Sequence, residues 1–135
     1  MGEIYTVIYR DKDLTVNTAL GKLTIDDILN TTKSYLLENP TRKVLWDFER
    51  ADGAGITSKE IEYFYSAIKD LVITTEERKI AVVVSRDIGY GLSRLSKTHA
   101  ELSGIRADHF ISRSFDEAMN WLSEEVDQFI CESCL

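Results

Sequence analysis

Proline is almost missing from this chain: among 135 residues Pro40 is the single one. There is no Gly/Ser/Pro-rich linker and no internal repeat, so nothing marks a boundary, and the length suits one domain over 1–135. Cysteine is as scarce. Cys131 and Cys134 stand together at the C-terminus as Cys-Glu-Ser-Cys. Zinc takes four ligands and there is no second pair, while a thioredoxin-type pair opens a helix after a strand, so 131–135 reads as a frayed tail. Long apolar runs are missing too. The longest aliphatic block, Ile80 to Val84, falls far short of the ~20 residues of a membrane helix. The N-terminus has no basic-then-apolar leader, so a cytoplasmic location is expected. Bases are outnumbered 16 to 23 by acids, and the formal charge of -7 argues against nucleic acid and anionic membranes as partners.

What is present suits a globular core: 44% of residues are hydrophobic and 29% charged. Ile4 to Arg10 is rich in β-branched and aromatic residues and predicts a strand. Asp11-Lys12-Asp13 is a turn, and Leu14 to Leu20 alternates as a second strand that Gly21 ends. Thr24 is placed to cap a helix running to about Glu38, with Ile25, Ile28, Leu29, Thr32 and Leu36 on one face. Lys43 to Phe48 predicts a strand apolar on both faces, hence covered on both sides. Glu49 to Ile56 reads as a connection. Thr57-Ser58-Lys59-Glu60 fits a capping box, followed by the stripe Ile61, Phe64, Tyr65 and Ile68. Lys79 to Val84 is the most apolar strand and is expected to be central. A helix to Leu102, closed by Gly104, a short strand Ala107 to Ile111, and a capping box at Ser114 to Glu117 with a final helix complete the chain. The predicted class is α/β: a single-layer, mixed, mainly parallel five-stranded sheet with helices on its faces, in the order ββαβαβαβα.

The segments KVLWDFERADG, ERKIAVVVSRDIGYGLSRL and SRSFDEAMNWL, in this order of elements, resemble the SpoIIAA-like, STAS-type family of small bacterial domains, over about Ile4 to Leu122. The resemblance implies a small α/β sandwich. It also implies a regulatory or protein-interaction role, since relatives include anti-sigma-factor antagonists and cytosolic domains of anion transporters. Structurally related lipid-exchange domains point to an apolar ligand instead. The antagonists carry a phosphorylated serine in an Asp-Ser-x-Gly motif before the second helix. Here Gly53 to Lys59 offers the hydroxyls of Thr57 and Ser58 without that motif.

A helix N-terminus favours phosphate, which makes Ser58 and Thr57 phosphoacceptor candidates; the plain alternative for Thr57 is a helix cap. Parallel strands deliver polar groups to their carboxyl ends, where α/β folds bind ligands. Asp47, Asp52, Gly53, Gly55, Tyr63, Ser85, Arg86, Asp87 and Tyr90 are therefore the candidates for a ligand or partner surface. Arg86 would pair with Asp47 or hold an anion, or form a local ion pair with Asp87 as an N-cap. Gly89-Tyr90-Gly91 is weak evidence for a dinucleotide. His99 sits on an apolar stripe with no nucleophile beside it, and His109 has no evident partner. An enzyme would have to use Asp47, Glu49, His99 or Arg86, which form no recognisable set, so none is assigned as catalytic.

No cofactor and no metal are expected. The function so predicted is a non-enzymatic module binding a protein or a small apolar or anionic ligand at its strand-to-helix junctions. The alternative is a lipid-like ligand in a cavity near Ile61, Phe64, Leu92 and Leu95. The first strand, apolar on both faces, also admits a homodimer through an edge.

Overall fold

The computed structural model describes residues 2–38, 40–53, 55–71, 78–85, 87–102 and 107–123, with backbone alone for 87–90. Strands β1 (Glu3–Tyr9) and β2 (Leu14–Lys22) form an antiparallel pair. A 3-10 turn at Arg10–Lys12 joins them, and Asp13 takes the left-handed conformation at φ 51° that closes it. Asp13 also anchors the next strand. Its Oδ1 accepts from Arg42 N at 3.2 Å and its carbonyl from Lys43 N at 3.1 Å.

Two boundaries differ from expectation. Gly21, at φ 76°, lies inside β2 and does not end it. The third strand, β3 (Lys43–Asp52), continues through Glu49 to Asp52, which the sequence gives the look of a connection. The two extensions pair with each other, Leu20 with Arg50, Gly21 with Ala51 and Lys22 with Asp52, after a register shift between Thr18 and Leu20. An extra residue in one strand resets the ladder, and a strict two-residue alternation does not reveal it.

β4 (Arg78–Val83) and β5 (Ala107–Ser112) follow in parallel, giving the order β1-β2-β3-β4-β5. The middle strand is β3, not β4. Helices α1 (Ile25–Leu37), α2 (Ser58–Ile68) and α3 (Asp87–Leu102) each join two parallel neighbours. Because the strands follow one another in sequence order, right-handed crossovers put all three helices on one face. The last helix, α4 (residues 115–123), covers the other.

The core splits accordingly. Leu14, Val16, Leu45, Ala81 and Val83 of the sheet pack with Ala118 and Leu122 of α4. Opposite, Ile25 and Leu29 of α1, Ile61 and Phe64 of α2, and Ala100 of α3 form a second cluster. Burying each large side chain contributes about 1.5–3 kcal/mol.

Caps set the helix entries. Thr24 and Asp27 form a reciprocal capping box, and so do Thr57 and Glu60. At α4, Ser114 Oγ accepts from Glu117 N at 3.2 Å. Each such cap is worth about 1 kcal/mol. Among the described residues no helix is long and apolar enough to cross a membrane.

Candidate functional site

Strand alternation decides what meets the three-helix face. From β3 come Val44, Trp46 and Phe48, and from β4 Arg78, Ile80 and Val82, all lining a cavity of about 220 Å³ between the sheet and α1–α3. Trp46 and Phe48 stack along β3, with centroids 5.5 Å apart and planes at 12°. The roof comes from the apolar stripes of the helices, among them Ile28, Ile61, Phe64, Ile68 and Leu92. Phe64 meets Tyr65 edge-on, at 4.9 Å and 89°. The Tyr65 hydroxyl lies 2.6 Å from Ser96 Oγ and so fastens α2 to α3; burial raises its pKa.

The two ends of the cavity differ. At the carboxyl ends of the strands it is lined by Asp52, Gly53, Ile56 and Ser85. Ile56 N donates to the Gly53 carbonyl at 3.0 Å, closing the turn, and Ser85 Oγ donates to the Glu49 carbonyl at 2.9 Å. At the opposite end lie Tyr35, Arg78 and Ala107. The Tyr35 hydroxyl donates to the Thr41 carbonyl, and Thr41 Oγ1 in turn lies 2.8 Å from Thr15 Oγ1. Burial raises the Tyr35 pKa, and the neighbouring Arg78 guanidinium works against that rise.

Among the described residues three buried side-chain nitrogens have no hydrogen-bond partner: Asn17 Nδ2, Arg78 Nε and His109 Nδ1. All three residues line this one cavity. Buried polar atoms are nearly always satisfied, so these three give an otherwise apolar wall its few open polar points. Asn17 Oδ1 is already used, accepting from Thr6 Oγ1 at 2.8 Å. Burial lowers the pKa of His109, which favours its neutral form.

The residues singled out in the sequence fall into separate places. Asp52, Gly53 and Ser85 come together in the cavity lining, at the carboxyl ends of the strands. Asp47 belongs to the α4 side of β3, two residues from Leu45, and its Oδ1 accepts from Glu49 N at 3.0 Å. It is therefore separated from the cavity by the sheet itself. Gly55 is exposed with open space around it. Tyr63 is 53% exposed on α2.

Thr57 is held by its capping box: its Oγ1 accepts from Glu60 N at 3.2 Å and its own N donates to Glu60 Oε1 at 3.0 Å. Ser58 is exposed in the first turn of α2. Asp87 opens α3 and Tyr90 falls within it. Arg86, Gly104, Cys131 and Cys134 lie outside the described residues, and with them the expected pairing of Arg86 with Asp47.

Ile61, Phe64 and Leu92 line the cavity, whereas Leu95 packs against the helical cluster beside it. His99 is half-buried near the end of α3 and is not among the cavity residues. Among the described residues no group of His, Cys, Asp and Glu is arranged to hold a metal.

The sequence reading passed over Arg78, Tyr35 and Asn17. A signal existed for Arg78. It shares strand parity with Ile80, Val82 and Val84, which aims it at the helices rather than at solvent.

No protein-family model matches the chain, and no curated protein sequence matches it. Among solved structures it is similar to an uncharacterized protein from the DUF3478 family with a SpoIIAA-like fold, from Shewanella loihica PV-4. The two share 16% identity over 90% of this chain and 95% of the other, with a TM-score of 0.57. The fold is thus SpoIIAA-like, as the three sequence segments imply.

Proposed function

We propose that this SpoIIAA-like domain is a non-enzymatic binding module that takes a small, largely apolar ligand into the cavity beneath α1–α3. The cavity itself carries the reading: about 220 Å³ of space walled by Val44, Trp46, Ile61, Phe64, Ile80 and Val82. Interiors normally pack without voids of this size. The volume is below the roughly 300–1,000 Å³ of pockets for drug-sized ligands, so the occupant is small. The mouth at Asp52, Gly53 and Ser85 is the route of entry, and a protein partner reading the occupied state would meet it there.

The test is a titration with N-phenyl-1-naphthylamine, an apolar dye that fluoresces on leaving water, on the purified domain and on Val82→Phe. Saturable binding at one site, abolished when the phenyl ring fills the cavity, is the expected result. A folded protein that shows no saturable binding, or a Val82→Phe variant that binds as before, overturns the proposal.

A further inference from the structure

We propose that the cavity takes a single-chain carboxylate, of about eight to ten carbons for a space below the drug-sized range, with its head on Arg78 and His109 and its tail along β4. This rests on the reading of the cavity as a ligand site and adds what the ligand carries at one end.

Arg78 is only 6% exposed, yet it is a residue type almost never buried unless paired. Its side-chain hydrogen-bond neighbour is the Tyr35 hydroxyl, a neutral oxygen, and among the described residues no carboxylate pairs with it. Its Nε has no hydrogen-bond partner and the residue lines the cavity. A guanidinium out of water without an anion is a costly arrangement, and a fixed fork of donors suits a planar carboxylate. The Tyr35 hydroxyl cannot serve as a second donor, because it already donates to the Thr41 carbonyl. His109 is placed to do so in the neutral tautomer that carries its proton on Nδ1. Arg78 pairs across to Ala107, so His109 stands one strand over and two residues up, with its Nδ1 unsatisfied and the Ala107 carbonyl also acting on the ring.

The rest of the cavity sets the tail. Ile80, Val82 and Val84 share Arg78's face of β4 and line the space towards the mouth. The third orphan, Asn17, is on β2, two strands from β4 and roughly 10 Å across the sheet, so it belongs to a different part of the cavity. One buried cation matches one negative charge. A phosphate monoester carries about 1.5–2 and would leave charge uncompensated in an apolar space.

Three probes of equal length separate the possibilities in the intact chain: decanoate, 1-decanol and decylamine, each displacing N-phenyl-1-naphthylamine. Decanoate is expected to bind roughly tenfold or more tightly than decanol, the worth of a charge-assisted hydrogen bond, with decylamine weakest. In Arg78→Met the advantage of decanoate disappears while decanol changes by less than about twofold. Should Arg78→Met fail to fold, the order of the three probes on the unaltered protein still decides. Decanol binding as well as decanoate overturns the carboxylate proposal and leaves the apolar site standing. Failure of all three overturns the site itself.

Discussion

Ser85 Oγ donates to the Glu49 carbonyl at 2.9 Å, tying the chain just beyond β4 to the later half of β3. The bond sits at the end of the cavity that Ser85 lines, the proposed route of entry. It fixes the spacing of two neighbouring parallel strands where a ligand would pass between sheet and helices.

Replacing Ser85 by alanine removes that tie without touching the apolar walls. Because Ser85 is exposed, the loss is at the low end of the usual hydrogen-bond range, about 0.5 kcal/mol in urea unfolding. Dye release measured by stopped flow should quicken while the saturated fluorescence stays the same. Unchanged release with a large stability loss would assign the bond to the fold alone.

The two adjacent hydroxyls at the start of α2 are expected to behave differently. Thr57 closes a capping box with Glu60, and Ser58 is exposed in the first turn. Thr57→Ala should cost about 1 kcal/mol in chemical denaturation. Ser58→Ala should stay within about 0.5 kcal/mol. Equal effects would contradict the assignment of the cap. Incubation with a serine/threonine kinase and mass spectrometry should then find any added phosphate on Ser58 rather than on the engaged Thr57.

His109 gives the domain a pH dependence of known sign. Burial lowers its pKa from the ordinary 6.5, so the unfolded chain binds the proton that the folded one refuses. Stability is full above about pH 6.5 and falls as the pH drops through that value towards the folded pKa. The Ala107 carbonyl works against that lowering of the pKa, and Lys97 and Glu101 of α3 and Asp108 of β5 act on the ring with smaller effects, Lys97 lowering and the two acids raising its pKa. Urea midpoints between pH 7 and pH 5.5 should decline for the natural chain and flatten for His109→Phe. Parallel declines would place the titrating group elsewhere.

Much of the scaffold was legible because its signals are local. Thr24, Thr57 and Ser114 mark helix starts with a side chain and an acidic residue three positions on, a pattern that carries its own mechanism. The apolar content of both faces of β3 announced cover on both sides, which α4 and α1–α3 supply. The lengths of β2 and β3 were not legible, since the register shift between Thr18 and Leu20 depends on pairing between strands far apart in sequence. Asp52, Gly53 and Ser85 lie at one end of the cavity lining, where strand-to-helix junctions of parallel strands are expected to meet. The far end was not legible in this way. Arg78 follows Glu76 and Glu77 in a charged stretch, and only its parity with Ile80 and Val82 shows that it turns inward. Asp47 shows the same rule in reverse, a polar residue inside β3 carried by alternation to the face away from the cavity.

The most direct test uses the fact that the sheet separates two apolar clusters. Methyl-labelled protein would be titrated with 1-decanol and followed by ¹³C-edited NMR. Shifts should concentrate on Ile61, Ile68, Ile80 and Leu92, which line the cavity, and leave Leu14, Leu45 and Leu122 on the α4 side unmoved. Spectra that do not change, or that change on the α4 side instead, would contradict an internal ligand site beneath the three helices.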